Sequence, residues 1–155
     1  MGEVIEVNLI SQSEIHDSLL QILLGFINPE YYPESFEAMD DWTYSNLVTI
    51  DGIESVDTYI PNKIVTIKYK DYFMNQVGLY IEKKADNYQY EGWLNFSEDC
   101  SDDMFQKIIE RLHEEIQKTK PVICAIGRES YVDFDLPLSE VKSKSSGVDL
   151  WITNL

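Results

Sequence analysis

The clearest helical pattern in the chain runs from Ser101 to Lys120. Its apolar residues recur at the spacing of one helix face: Met104, Phe105, Ile108, Ile109, Leu112 and Ile116. Ser101 is suited to cap the N-terminus, and Asp102 and Asp103 follow in the first turn, where the helix dipole favours negative charge. Pro121 ends the pattern because it cannot continue a helix. We predict a main helix here, whose apolar face covers a sheet.

The N-terminal segment predicts a strand followed by a second main helix. Val4–Ile10 alternates as a strand does, and Ser11 with Glu14 three residues later has the form of a capping box. The apolar stripe that follows has helical spacing: Ile15, Leu19, Ile22, Leu23 and Phe26. This helix must end before Asn28, which precedes a proline.

From Lys63 onward the pattern changes to a period of two. Three alternating segments carry the apolar series Val65, Ile67, Tyr69, then Val77, Leu79, Ile81, then Tyr88, Tyr90, Leu94, Phe96. Short, turn-like connections join the segments, so the pattern predicts a three-stranded antiparallel meander. The helix of Ser101–Lys120 follows at once and is expected to cover the meander's apolar face.

The remaining segments complete the predicted order of elements. They are a short helix at Pro33–Met39, strands at Ser45–Ile50 and Val122–Ile126, an end of strand at Gly127, a strand at Val132–Leu136, a polar loop at Lys142–Gly147 and a strand at Val148–Ile152. No repeat or long linker divides the chain. We predict a single α+β domain over residues 1–155, with a mostly antiparallel sheet whose central meander packs against two main helices.

The distribution of charged residues is the feature of the sequence that says most about possible partners. The net charge is −16; residues 1–62 hold twelve acids and no Lys or Arg, whereas residues 63–155 hold sixteen acids and twelve bases. Such a chain repels nucleic acid and anionic membranes, so neither is expected as a direct partner. No signal peptide is recognisable, and no apolar run approaches the ~20 residues that cross a bilayer. We therefore expect a cytoplasmic protein.

Candidate catalytic chemistry is sparse. The sequence lacks a phosphate-binding glycine loop, a Gly-x-Ser-x-Gly elbow and a paired-histidine zinc motif. His16 and His113 are the only histidines, and the two cysteines, Cys100 and Cys124, show no metal-ligand spacing. Cys124 lies in an apolar strand and is expected to be buried. We predict no metal, no cofactor and no enzyme; the alternative is an enzyme with an unrecognised carboxylate site.

Acidic and aromatic side chains alternate in one segment, the first candidate partner-binding surface. Its residues are Glu30, Tyr31, Tyr32, Glu34, Glu37, Asp40, Asp41, Trp42 and Tyr44. Charge of one sign accelerates association with a complementary protein, and aromatic side chains supply buried anchors. The segment therefore predicts a basic protein partner. Two alternatives stay open: the acids serve only solubility, and the aromatics belong to the core.

A second candidate surface lies on the side of the meander opposite Leu94. It carries Tyr80, Glu82, Glu91 and Trp93, because these residues alternate with the apolar series. If this side is open, its aromatics are suited to bind a protein or a sugar. If instead the N-terminal helix covers it, the same aromatics belong to the core.

The chain resembles the immunity proteins of bacterial polymorphic-toxin systems. The resemblance lies in the run from Glu30 to Tyr44 and in the segment Tyr90–Phe96 that leads into the acid-capped helix. It implies stoichiometric inhibition of a cognate toxin domain, often a basic nuclease, by occlusion of its active site. We predict a non-catalytic acidic binding protein of this kind. The alternative is a regulatory or small-molecule-binding domain with a pocket between sheet and helices.

Overall fold

A single antiparallel sheet organises the chain. A computed structural model describes residues 4–28, 32–40, 47–49, 64–97 and 100–154. The strands are β1 (Val4–Ser11), β2 (Tyr32–Met39), β3 (Val48–Thr49), β4 (Ile64–Lys70), β5 (Gln76–Lys84), β6 (Asn87–Asn95), β7 (Ile123–Tyr131) and β8 (Ser146–Thr153). The helices are α1 (His16–Leu24), α2 (Asp102–Gln117) and α3 (Leu138–Lys144). The predicted α+β class and antiparallel sheet are confirmed.

The strands of the sheet follow the order β3-β2-β4-β5-β6-β1-β7-β8. Each pair of neighbours within the described residues is antiparallel. Strands β4, β5 and β6 are consecutive in this order, and they form part of one eight-stranded sheet. The first strand, β1, lies inside the sheet between β6 and β7, whereas the last strand, β8, pairs with β7 at the end of this order.

Both long helices cover the same face of the sheet, which we call the inner face. Strand β1 alternates buried and half-buried residues, and its buried Ile5, Val7 and Leu9 join the core cluster. From α1, Leu23 packs so closely that a methyl group on Gly92 would lie 2.9 Å from its Cδ1. Helix α2 adds four buried side chains to this cluster: Phe105, Ile109, Leu112 and Ile116. Each such side chain contributes about 1.5–3 kcal/mol by leaving water.

Helix α2 begins as its sequence predicts. The Ser101 Oγ accepts a hydrogen bond from the backbone N–H of Met104 at 3.2 Å, and Asp102 and Asp103 occupy the first turn. Cys124 is fully buried on β7, as expected, and burial raises the pKa of its thiol far above the usual range. The two features agree with the prediction because both follow from local pattern.

The predicted capping box at the start of α1 is wrong. Ser11 ends β1 with its side chain buried, and its Oγ donates to the carbonyl of Ser13 at 2.8 Å. The N-terminus of α1 is held instead by Tyr90 of β6, whose hydroxyl accepts the backbone N–H of Ile15 at 3.0 Å. The same hydroxyl lies 3.3 Å from Nδ1 of His16. A contact distant in sequence thus replaces the local cap.

Three further predicted elements differ in the structure. Residues 33–39 belong to strand β2 and are not helical, because they pair with β4. Gly127 does not end a strand: β7 continues to Tyr131 past a register shift at Gly127. Residues 132–136 form no strand, and the predicted polar loop at 142–147 contains the end of α3 and the start of β8.

We expect Tyr90→Phe to lower the free energy of unfolding by about 1–3 kcal/mol, the cost of leaving a buried donor without its partner. The donor is the N–H of Ile15, which the hydroxyl accepts inside the protein. Urea unfolding measures the change. Tyr88→Phe, which removes an exposed 2.9 Å hydrogen bond to Glu14, is the matched control and should cost less. Equal effects of the two variants would contradict this account.

Candidate functional site on the outer sheet face

The opposite side of the sheet, which we call the outer face, brings the two candidate surfaces together. The pairing registers align Glu37 of β2 with Thr66, Thr66 with Tyr80, and Tyr80 with Glu91. Neighbouring strands lie about 4.8 Å apart, so this row places Glu37 two strands from Tyr80. One residue of the acidic, aromatic segment therefore shares a face with the whole second candidate set.

Trp93 lies flat on the outer face, in the space that a side chain at Gly78 would fill. The two residues are directly paired across β5 and β6. A Cβ atom on Gly78 would come within 1.8 Å of the indole Cζ2 of Trp93, a distance at which two carbon atoms that are not bonded clash severely. The ring of Tyr80 packs beside the indole, with the centroids 4.8 Å apart and the planes tilted by 40°. The absence of a side chain at Gly78 thus lets the indole of Trp93 pack on the sheet beside Tyr80. We call this aromatic pair over Gly78 the Trp93 platform.

The aromatic pair and its acidic neighbours are half-buried. Tyr80, Glu82, Glu91 and Trp93 are neither fully buried nor freely exposed. Helices α1 and α2 occupy the inner face, so the alternative in which the N-terminal helix covers this set is wrong.

The segment that contains α3 covers another part of the outer face, towards β7 and β8. Lys142 of α3 lies 5.5 Å from the ring centroid of Trp151, which is paired with Ala125. Lys84 forms a 2.8 Å ion pair with Asp135 at the end of β5. On the β2–β4 side of the same face, Met39, Ile64 and Thr66 are buried as well, so the half-buried Trp93 and Tyr80 lie between two covered regions.

Two carboxylates of the outer face are held in an unfavourable environment. Burial raises the pKa of Glu91, and the charge of Glu6 raises it further. Burial likewise raises the pKa of Glu6; the hydroxyl of Ser130, 3.3 Å away, partly offsets this effect, and Glu129 adds to it. Within the described residues, neither carboxylate forms an ion pair. An arriving cation would therefore relieve an existing electrostatic cost.

One lysine of this face, Lys68, lies across Trp93 from Glu6 and Glu91. Glu6 is paired with Trp93, and Asn8 with Glu91, so the two carboxylates stand on neighbouring central strands. Lys68 of β4 is exposed and is paired with Gly78, on the other side of Trp93. The indole of Trp93 therefore separates Lys68 from Glu6 and Glu91, the two carboxylates whose pKa values are raised.

The other predicted partner-binding residues are only partly placed. Tyr32 and Glu34 lie in β2, and Asp40 is exposed just after this strand. Glu30, Tyr31, Asp41, Trp42 and Tyr44 lie outside the described residues. Sequence reasoning missed Glu6 and Gly78. The alternation of β1 places Glu6 opposite its apolar residues, but its position beside Trp93 depends on pairing between distant strands.

The described residues bear on two alternatives, a metal site and a small-molecule pocket. These residues contain no group of three His, Cys, Asp or Glu side chains that could hold a metal ion. Cavities of about 310 and 250 Å³ lie at the ends of the sheet, the first against residues 119–122 and the second against Phe96, Ser97, Cys100 and Met104. The second cavity lies between the end of β6 and the start of α2.

Comparison of the chain with protein-family models, curated proteins and solved structures found no match. None of the three helices in the described part of the chain has the length and apolar character that a bilayer-crossing helix needs. The geometry of the outer face is therefore the main basis for inferring function.

The contact between Trp93 and Gly78 predicts strong energetic coupling. Gly78→Ala should lower the free energy of unfolding by about 1–3 kcal/mol, because the added methyl displaces the indole. In a Trp93→Ala background the same change should be neutral, or stabilising by up to about 1 kcal/mol, since glycine is entropically costly in a strand. Urea unfolding of the four proteins measures the cycle. Equal effects of Gly78→Ala in both backgrounds would refute the coupling.

The raised pKa of Glu91 predicts a pH-dependent gain of stability on neutralisation. A carboxyl whose pKa is higher in the folded state than in the unfolded state destabilises the fold when ionised, and this cost vanishes below its unfolded pKa. Glu91→Gln should therefore raise the free energy of unfolding at neutral pH, on the order of 0.5 kcal/mol. The gain should shrink as the pH falls towards about 4.

Chemical denaturation at several pH values tests this expectation. Glu114→Gln, on the exposed side of α2, is the matched control and should show no such pH-dependent gain. A Glu91→Gln variant that is less stable than the wild type at neutral pH would contradict the expectation.

Proposed function

We propose that this protein is a non-catalytic, acidic binding protein that inhibits a basic toxin by stoichiometric binding, with the outer face as its docking surface. The observation that carries the proposal is the aromatic pair Trp93 and Tyr80, half-buried on the sheet face opposite α1 and α2. Beside this pair stand the carboxylates of Glu6 and Glu91, which no described cation neutralises. Aromatic surface and unpaired negative charge thus occur together.

This arrangement favours Arg or Lys from a partner. A guanidinium group can stack on an indole face and form charge-assisted hydrogen bonds with a neighbouring carboxylate. Such bonds are strong where water is excluded, and tryptophan, tyrosine and arginine are the residues that most often dominate binding energy at interfaces. Binding of a cation would also remove the electrostatic cost that Glu6 and Glu91 impose on the free protein.

The charge of the whole chain supports a cationic partner over other macromolecules. A net charge of −16 attracts a basic protein over distances up to about the Debye length, and it repels nucleic acid. The first 62 residues, which supply Glu6 and Glu37, contain no Lys or Arg. Association should therefore be fast at low salt and slow at high salt.

The inhibitory role rests on the resemblance to immunity proteins of polymorphic-toxin systems. In that role the acidic surface would steer the toxin, the aromatic pair would be buried, and the bound protein would occlude the toxin's active site without turnover. The proposed partner is a basic toxin domain, for example a nuclease. The proposed place of action is the cytoplasm, where such a toxin would reach its substrate.

The test takes as candidate partner any basic protein that a gene adjacent to this protein's gene encodes, prepared in a catalytically inactive form. Isothermal titration calorimetry should give one-to-one binding. We expect Trp93→Ala to weaken binding by about 30-fold or more, the effect typical of an interface anchor. Tyr131→Ala is the control, since Tyr131 is also aromatic and is 60% exposed at the end of β7. Its binding should equal that of the wild type.

Salt and activity measurements complete the test. The association rate should fall steeply as salt rises, whereas the dissociation rate should change little. Activity of the intact toxin should fall in proportion to added inhibitor and stop at equimolar amounts. Binding that is unchanged by Trp93→Ala and by salt would overturn the role of the outer face. A folded basic neighbour that does not bind at all would overturn the inhibitor proposal.

A further inference from the structure

The turn between β4 and β5 exposes three large apolar side chains at the end of these two strands. Tyr72, Phe73 and Met74 are 68%, 65% and 57% exposed, although they are consecutive in sequence. Met104, in the first turn of α2, is 53% exposed. Single exposed apolar residues are common in soluble proteins, but a cluster of this kind marks an interaction site.

The turn is held in shape by a buried carboxylate. Asp71 Oδ1 accepts the backbone N–H groups of Phe73 and Asn75, each at 2.9 Å. Asp71 Oδ2 accepts the N–H of Asn28, beyond the end of α1, at 3.0 Å. Met74 adopts a left-handed backbone conformation with φ of 69°, which a residue with a side chain keeps only when its surroundings enforce it.

A second set of hydrogen bonds ties the turn to the chain beyond β6. Ser97 Oγ donates to the carbonyl of Phe73 at 2.6 Å, and the N–H of Ser97 donates to Asn75 Oδ1 at 3.0 Å. The turn is thus fixed to α1, to β6 and to itself. Side chains presented on a prefixed backbone lose less conformational entropy on binding, so the exposed cluster is preorganised for a partner.

A groove separates the turn from the start of α2. Its volume is about 250 Å³, and its lining residues are Phe73, Asn75, Phe96, Ser97, Cys100 and Met104. Two exposed carboxylates, Asp102 and Asp103, immediately precede Met104 in the first turn of α2. Asp102 forms a 3.1 Å ion pair with Arg128, whereas Asp103 has no ion pair within the described residues. Four of the six lining side chains are apolar or sulfur-containing, and the exposed Asp103 immediately precedes the lining residue Met104.

We propose that this groove binds a protein segment that inserts one apolar side chain between Phe73 and Met104 and places Lys or Arg beside Asp103. Charge selects this occupant. A second copy of the chain would bring two bodies of charge −16 together, and an anionic membrane would repel the same charge. The groove is lined by the start of α2, whereas Trp93 lies on the outer face, so the groove is a separate contact that does not depend on the proposed function.

Selection of random peptides displayed on phage, against the whole folded chain at low salt, tests this site. The enriched sequences should share an apolar or aromatic residue next to Lys or Arg. Binding of the corresponding synthetic peptides should weaken about tenfold or more in Phe73→Ser and in Met104→Ser, as for other truncated anchors. Tyr131→Ser, which also removes an exposed aromatic side chain, should bind as the wild type does.

Additional variants address charge and folding. Asp103→Asn should weaken the Lys- or Arg-containing peptides and reduce the salt dependence of their binding. Circular dichroism of each variant should match the wild type, because the replaced side chains are exposed. Trp93 and Glu91 are left intact throughout, so failure of this site and failure of the outer face are distinguishable.

Several results would overturn the proposed groove. They include the absence of an enriched sequence family, enrichment of acidic peptides, and peptide binding that is unaffected by Phe73→Ser and Met104→Ser. Dimerisation in sedimentation that Phe73→Ser abolishes would assign the cluster to a second copy of the chain. Binding to vesicles of phosphatidylcholine and phosphatidylserine that Phe73→Ser abolishes would assign it to a membrane surface.

Discussion

The packing of both long helices on one sheet face is the constraint on which the rest of the structure depends. Side chains alternate across a strand, so a sheet that supplies one apolar face also has a second face with a separate composition. The inner face satisfies the apolar stripes of α1 and α2. The outer face does not contact α1 or α2, and it carries carboxylates and a Trp–Tyr pair alongside buried apolar residues such as Met39 and Ala125.

The outer face also contains features that do not favour stability. Gly78 loses more conformational entropy on folding than another residue would, which destabilises the strand. The indole of Trp93 occupies the space that a side chain at Gly78 would fill. Glu6 and Glu91 are kept close together and partly buried, which disfavours their charged forms. Stabilities of natural proteins are marginal, and local costs of this kind persist where activity needs them. The proposed docking surface for a cationic partner would explain both features together.

The sequence allowed prediction of the elements that local pattern determines, and not of those that distant pairing determines. Helix α2, its Ser101 cap and the alternating strands follow from spacing alone. Residues 33–39 contain good helix formers, yet pairing with β4 makes them a strand, with a register shift between Pro33 and Ser35. Gly127 resembles a strand terminator, but it is needed because a Cβ atom there would lie 2.1 Å from the carbonyl oxygen of Gly147. The candidate site was predictable in composition, whereas its assembly depended on the pairing of β1 with β6.

The proposed inhibitor would need more contact than one aromatic pair provides, since stable interfaces bury about 800 Å² on each partner. The topology places further contact area nearby: Gln76 is paired with Asn95, two residues beyond Trp93, and the exposed turn immediately precedes Gln76. Two residues of strand span only about 7 Å, so the Trp93 platform and the turn belong to the same end of β5 and β6. A partner that covered both would bind the second site intramolecularly once the first was engaged, and its affinity would rise without any new kind of contact.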